Sequence, residues 1–434
     1  MPLLWAYRLL FLPLLAATSP YYLWRMIRRG GYGAGLGQRL GHWPTLPAKR
    51  PGVTRIWVQA VSVGEVEAIG PLLRELTADG RAEVVLTATT STGLRIARER
   101  HAGACVAIGS FPLDFWPCSA LAWRAIQPDV AVLTEGELWP EHLLGQARSR
   151  GIPVALANAR LSDRSFARHR RLRPLSSALW RSLAWIGAGS ATDRDRLVEL
   201  GASVAEITGN LKFDVAAEGA LPDPERARLR AELGLADHPE ALLLLGSSTW
   251  AGEEQLLLDV VRELRAAGTD ARLLLVPRHA ERREEVLRAI RSSGLSCHQR
   301  SVSGPVAPAG TLVHLADTTG ELRRLTRAAD LAFSGKSLAP HEGGQTPVEA
   351  AAAGVPLVYG PAMTNFRVIC RGLESAGAAR RAENAEQVRR LLVELAKDAS
   401  ARAVMAAAGP AWLGHNRGAS ERTARGIRTL AQAR

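Results

Sequence analysis

Short apolar runs alternate with longer helix-patterned stretches twice along this chain, and that doubled alternation constrains its fold more than any other feature. The first series has runs at residues 55–60, 83–87, 130–134, 153–158 and 186–189, with helical patterns such as 66–77 and 92–99 between them. The second follows GNLKFD (209–214), with runs at residues 241–246, 272–276, 311–315, 331–333 and 356–359 and helical stretches such as 253–266. A strand that is apolar on both faces and followed by an amphipathic helix belongs in a parallel sheet with helices on both sides. Two series predict two doubly wound α/β domains, and the ligand sites of such sheets lie outside the carboxyl ends of the strands, here in a cleft between the halves. Between the series, AAEGALPDPERARLRAEL (216–233) has the Pro, Gly and charge content of a linker leading into a helix. The expected division is an N-terminal anchor (1–27), a first Rossmann-like domain (28–215), a second (216–409) and a basic C-terminal helix (410–434) packing back on the first domain.

Composition narrows the function. With 434 residues the chain has room for two cores. Its four cysteines are scattered, with no CxxC pair, and imply neither a disulfide framework nor a zinc site. The formal net charge of +13 favours a polyanionic partner: anionic lipid, phosphorylated substrate or nucleic acid. No nucleic-acid recognition motif is present and the eleven tryptophans are dispersed, so nucleic acid is set aside.

Residues 3–24, LLWAYRLLFLPLLAATSPYYLW, are about as long as a membrane span, but Arg8, Pro13 and Pro20 interrupt them. Arg25, Arg28 and Arg29 follow, as on a cytoplasmic flank, and Tyr21, Tyr22 and Trp24 stand where a cleaved signal would have small residues. The expectation is an uncleaved anchor, spanning the bilayer or lying in its surface; a helix docked on the first domain is the alternative.

Six stretches carry candidate chemistry. In AVSVGEV (60–66), Gly64 and Glu65 sit where a strand turns into a helix. Glu65 is either a helix-start acid or a general base. The positive end of the helix would keep it ionised and depress its pKa, so a base role would require burial or a bound substrate. LTEGELWPEHL (133–143) follows a strand and offers the paired acids Glu135 and Glu137. In the second half, LLLVPRHAERREEV (273–286) puts Arg278 and His279 just past a strand, and GSSTWAGEE (246–254) offers Ser248 and Thr249 before a helix start. The block SGKSLAPHEGGQTPVEAAAAGVPLVYGP (334–361) exposes backbone N–H groups ahead of a helix opened by Pro347, with Glu349 placed for a ribose diol. Its GKS lacks the GxxxxGK[ST] spacing of a P-loop. A basic stretch, ARLSDRSFARHRRLRPL (159–175), suits an anionic bilayer or a phosphorylated lipid. No DxD-like pair appears in a suitable loop, so no metal is expected.

Together these pieces resemble one family, the 3-deoxy-D-manno-octulosonic acid (Kdo) transferases of lipopolysaccharide assembly. The matching stretches are GYGAGLGQRLG, AVSVGEV, TEGELWP, NARLSDRSF, TGNLKFD, GSSTWAGEE, VPRHAER and GGQTPVEAAAAGVPLVYGP with Asn365–Phe366, in family order over most of the chain. The resemblance implies a membrane-associated, inverting GT-B glycosyltransferase that moves Kdo from CMP-Kdo to a lipid A precursor, lipid IVA, on the cytoplasmic face of the inner membrane. It implies that Glu65 is the catalytic base. It sets Arg278, His279, Ser248 and Thr249 around the CMP phosphate, and Gly335, Ser337, Gly343, Gly344 and Glu349 in the nucleotide block. Gly64, Glu135, Glu137, Asn210 and Lys212 fall on the acceptor or cleft side. The chain departs from the family pattern at Trp250, commonly histidine, at Gln345–Thr346 in place of HN, at Gly136, commonly threonine, and at Lys336, often glycine. A UDP-sugar transferase acting on another lipid, or a non-catalytic nucleotide-sugar or lipid-binding protein, are the alternatives.

Overall fold

The computed structural model describes residues 2–29, 33–215 and 219–432. The chain divides into two compact units, Met1–Val215 with Asn416–Arg434, and Ala216–His415. The expected boundary at 215/216 adjoins residues 216–218, which lie outside the described residues. At the C-terminal end the chain changes unit at residue 416, inside the region expected to return from residue 410.

The first unit holds a parallel seven-stranded sheet in the order β3-β2-β1-β4-β5-β6-β7. Its strands are β1 Thr54–Ala60, β2 Ala82–Ala88, β3 Ala107–Ser110, β4 Val130–Thr134, β5 Val154–Ala159, β6 Trp185–Ala188 and β7 Ala205–Ile207. Alternate residues of β1 enter two cores. Ile56, Val58 and Ala60 pack with Leu72, Leu73 and Ile427 on one face, and Trp57 packs with Val85, Trp123 and Leu143 on the other. Burial on both faces explains why the central strands read as unbroken apolar runs.

The helix expected over 66–77 is two helices, Val63–Ala68 and Gly70–Thr77, because Pro71 has no N–H for the ladder. The C-terminal helix Ala419–Gln432 lies on this unit, with Ala424 and Ile427 in its core. The Asp214 carboxylate accepts the Gly418 and Ser420 N–H groups at 2.8 and 2.6 Å and holds the start of that helix.

The second unit repeats the architecture in the order β10-β11-β9-β8-β12-β13-β14. These strands are β8 Leu242–Thr249, β9 Ala271–Pro277, β10 Cys297–Gln299, β11 Val313–Leu315, β12 Leu331–Ser334, β13 Leu357–Tyr359 and β14 Ala379–Arg381. The helix Glu253–Ala266 seals one face through Leu257, Leu258, Val261 and Leu264.

The N-terminal helix, Pro2–Arg29, is docked on the first unit. Tyr7 donates its hydroxyl to Asp114 at 2.7 Å, and Arg8 forks onto Glu141 at 2.8 and 2.9 Å. Phe11 stacks on Phe115 at 5.1 Å. Glu141 is fully buried, and Gln146 donates to it as well. Among the described residues no helix is long and apolar enough to cross a membrane. The spanning form of the anchor expectation is thus not shown: the Arg8 charge is committed to Glu141, and Thr18 and Ser19 dilute the apolar run. The side chains of Tyr21, Tyr22, Arg25, Arg28 and Arg29 lie outside the described residues.

Candidate active site

In the first unit the reactive candidate grows out of two adjacent strand ends. β1 stops at Ala60, Ser62 is still extended at φ −123°, and the helix begins at Val63, so Glu65 sits in its first turn. Glu65 Oε2 accepts from the Val61 N–H at 3.0 Å and the Thr134 hydroxyl at 2.6 Å, and Oε1 accepts from the Ser62 hydroxyl at 3.1 Å. Thr134 ends β4, the neighbour of β1. Its hydroxyl also stands 3.0 Å from the Gln59 carbonyl. One hydroxyl proton serves two acceptors there. When it turns to Gln59, the Thr134 oxygen is free to accept a hydrogen bond from a protonated Glu65.

Glu65 is buried, and burial, then the charge of Glu135, push its carboxyl above the ordinary carboxylate range against its three hydrogen bonds. The expected depression by the helix end is therefore overturned. Desolvation outweighs the field of a helix only six residues long. Gly64 is helical, and a Cβ there would meet nothing within 4 Å, so the space it faces is open.

Glu135 follows β4 in the left-handed region at φ 57° and ties to β5 through the Ala157 carbonyl and the Arg160 N–H. Lys212 Nζ stands 3.4 Å from its carboxylate. Burial, then Glu65 and Glu135, push the Glu137 carboxyl up as well. The structure thus gathers Glu65, Glu135, Glu137 and Lys212. Asn210 plays a different part: it is buried, and its side-chain oxygen accepts the Lys212 N–H at 3.0 Å, shaping the turn that presents the lysine. Asn158, missed in the sequence, supports that turn by accepting the Leu211 N–H at 3.1 Å.

In the second unit, Ser248, Thr249, Arg278, His279, Gly335 and Ser337 collect at the carboxyl ends of β8, β9 and β12. Ser248 is left-handed at φ 53°. Thr249 is fully buried, and its hydroxyl has no hydrogen-bond partner among the described residues. The Thr249 carbonyl accepts the Arg278 N–H at 3.1 Å. The exposed Arg278 guanidinium makes no ion pair among the described residues, whereas Arg282 is gripped by Glu254 and Glu285. Gly335 is needed for close approach, since a Cβ there would stand 2.3 Å from the Ser248 carbonyl oxygen.

The first four amides of the loop are not offered to a ligand as expected. Gly335 N–H donates to Ser247 at 2.8 Å. The N–H groups of Lys336, Ser337 and Leu338 all donate to the buried Glu253 carboxylate, which also accepts from Trp250. Ser337 is fully buried and donates its hydroxyl to the Ser334 carbonyl. Gly343 and Gly344, at φ 102° and 73°, pack on Asn365 and Met363. The helix carrying Glu349, Val348–Ala352, is only five residues long, so its end field is weak. What sequence reading missed is that Glu253, legible there as a first-turn acid, holds this loop. Its signal was the acid three residues after Trp250, the spacing at which a first-turn carboxylate reaches back to a backbone N–H. Among the described residues no group of three His, Cys, Asp or Glu side chains is placed to hold a metal.

Residues 34–215 match the sequence model of the N-terminal glycosyltransferase domain described as 3-deoxy-D-manno-octulosonic-acid transferase. The chain is 35% identical to the 3-deoxy-D-manno-octulosonic acid transferase of Bordetella pertussis over 423 residues, 93% of this chain and 94% of the relative. It is 32% identical to the Haemophilus influenzae protein of the same name over 419 residues, 95% and 93% of the two chains. The crystal structure of Anabaena HepE with UDP matches at a TM-score of 0.56 and 16% identity, over 88% of this chain and all of that one, a likeness of fold alone.

Proposed function

This chain belongs to the 3-deoxy-D-manno-octulosonic acid (Kdo) transferase family, and from that membership we propose that it transfers Kdo from CMP-Kdo to a lipid A precursor, lipid IVA, with inversion. The observation that carries the chemical part is Glu65: a buried carboxylate, raised in pKa, at the open end of a parallel sheet. In the proposed step the acceptor hydroxyl gives its proton to Glu65 as its oxygen bonds the anomeric carbon of Kdo. The bond from that carbon to the phosphate breaks, and CMP leaves with the electron pair. A base poised above the ordinary carboxylate range takes that proton more readily, and such catalysis contributes about 10²–10⁴-fold. Arg278, exposed and without an internal carboxylate, suits the departing phosphate. Glu135, Glu137 and Lys212 suit the hydroxyls and phosphate of a glycolipid acceptor.

A lipid acceptor is met at a membrane surface. The docked helix exposes Trp5, Leu9, Leu10 and Leu12, with Trp116 also exposed. The helices Asp163–Arg171 and Arg173–Ser182 expose Arg168, Arg171 and Arg173 around Leu172 and Leu175. Apolar side chains flanked by arginines support seating in the plane of an anionic leaflet, here the cytoplasmic face of the inner membrane. The test is incubation with CMP-Kdo and lipid IVA, which should release CMP. Turnover of a UDP-sugar alone would sink the proposal. Glu65→Gln should lower kcat about 10²–10⁴-fold with CMP-Kdo affinity kept, and near-normal turnover would remove Glu65 from the reaction.

A further inference from the structure

Two of the departures noted in the donor half, Lys336 and Trp250, touch each other. Lys336 Nζ stands 4.8 Å from the centre of the Trp250 ring. The indole is boxed on its other sides by His279, edge-on at 5.1 Å, and His341 at 5.2 Å, with His341 held to the Ala251 carbonyl at 2.9 Å. Lys336 occupies the left-handed region at φ 57°, a conformation that favours glycine. A long cationic side chain held at such a position asks for a functional reason.

Neighbouring chemistry supplies one. Because Gly335, Lys336, Ser337 and Leu338 spend their N–H groups on Ser247 and Glu253, this loop has no backbone amide left among those four to bind an anion. An anion that approaches these four residues must be met by a side chain. Lys336 is the cationic side chain of that loop segment, and it has no carboxylate partner among the described residues. Contact with an aromatic face satisfies one side of an ammonium group while leaving its other N–H donors free. It also holds a flexible chain in one direction, which lowers the ordering cost when a ligand arrives.

We propose that Lys336, held on Trp250, binds an anionic group of the donor, and that Trp250 is the positioning residue that aims it. This rests on the reading of the chain as a transferase using CMP-Kdo. Such a donor joins an acidic sugar to a nucleoside monophosphate and so carries two anions, a phosphate and a sugar carboxylate. Arg278 and Lys336, at the ends of β9 and β12, give the second unit one cation for each.

The test uses the full-length protein and its Lys336→Gly, Lys336→Arg, Trp250→Leu and Lys336→Gly/Trp250→Leu variants, titrated calorimetrically with CMP and with CMP-Kdo. Glycine suits the backbone at 336, so that variant keeps the fold. Lys336→Gly should weaken CMP-Kdo binding about tenfold and flatten the salt dependence of the dissociation constant. Lys336→Arg should stay within about threefold of wild type. If CMP loses the same factor, the anion is the phosphate; if CMP binding is unchanged, it is the sugar carboxylate. Trp250→Leu should weaken the donor in the wild-type background and do nothing further in the Lys336→Gly background. Wild-type affinity in Lys336→Gly, or an equal Trp250→Leu loss in both backgrounds, overturns the pair. Wild-type protein that neither binds nor turns over CMP-Kdo overturns the donor assignment, and this proposal with it.

Discussion

Glu253 offers the sharpest test of how the donor half is built. Its carboxylate is 1% exposed and accepts four backbone N–H groups, Trp250 and Lys336 on Oε2 at 2.9 and 2.8 Å, Ser337 and Leu338 on Oε1 at 3.0 and 3.3 Å. Glu253→Gln keeps the shape but one acceptor. Its carbonyl would turn to the buried Ser337 and Leu338 amides and set its NH2 against Trp250 and Lys336. Two donors left unpaired cost about 1–3 kcal/mol each, so the variant should lose about 4 kcal/mol. Glu253→Ala strands all four donors and approaches the whole stability of a domain, about 5–15 kcal/mol. Urea unfolding followed by tryptophan fluorescence reads this directly, since Trp250 lies on the affected loop. With a slope near 2 kcal/mol/M, the second unit's midpoint should fall by about 2 M. A shift below about 0.5 M would show that the loop does not depend on this carboxylate.

Other consequences follow from the first unit. Glu65 must be ionised to take a proton, so kcat/KM should fall as pH drops through its raised pKa. Glu135→Gln removes a neighbouring negative charge and should move that acid limb to lower pH, while Lys212→Met should move it higher; a limb unmoved by either would take Glu135 out of the titration. Because the folded carboxyl holds its proton at a higher pH than the unfolded one, Glu65 should also lower stability as pH rises through that window, an effect Glu65→Gln should abolish in pH-dependent melts. Arg8→Met leaves the fully buried Glu141 without its cation and should cost about 3 kcal/mol, with most of it recovered in Arg8→Met/Glu141→Gln. A double variant no better than the single one would mean that the pair is not what docks the helix. Leu9→Ser/Leu10→Ser should reduce sedimentation with anionic vesicles while leaving CMP-Kdo affinity intact, and unchanged sedimentation would move the membrane contact elsewhere.

The strands legible in the sequence and those that were not divide along a physical line. β1, β2, β4, β5 and β6, and β8, β9, β11, β12 and β13, all stand out as apolar runs. The four that escaped, β3, β7, β10 and β14, are the four sheet edges. Each has three or four residues, and patterns such as Ala205–Ile207 and Ala379–Arg381 are partly exposed, so no apolar run marks them. The break at Pro71 was written in the chain, but the rising amphipathic pattern on both sides of it concealed the interruption.

Local chemistry determined a good deal by itself: two βα series, a carboxylate at the end of β1, acids at the end of β4, and Arg278 past β9. Those are statements about which residue types follow which strands, and they need only neighbours in the chain. Tertiary structure decided the rest. The pKa of Glu65 rose because burial and Glu135, 70 residues on, outweigh the helix end beside it. The amides of the Gly335–Leu338 loop were withdrawn from any ligand because Glu253, more than 80 residues earlier, already holds them. Desolvation, charge proximity and hydrogen-bond competition depend on what folding brings alongside, and no reading of a single stretch contains them.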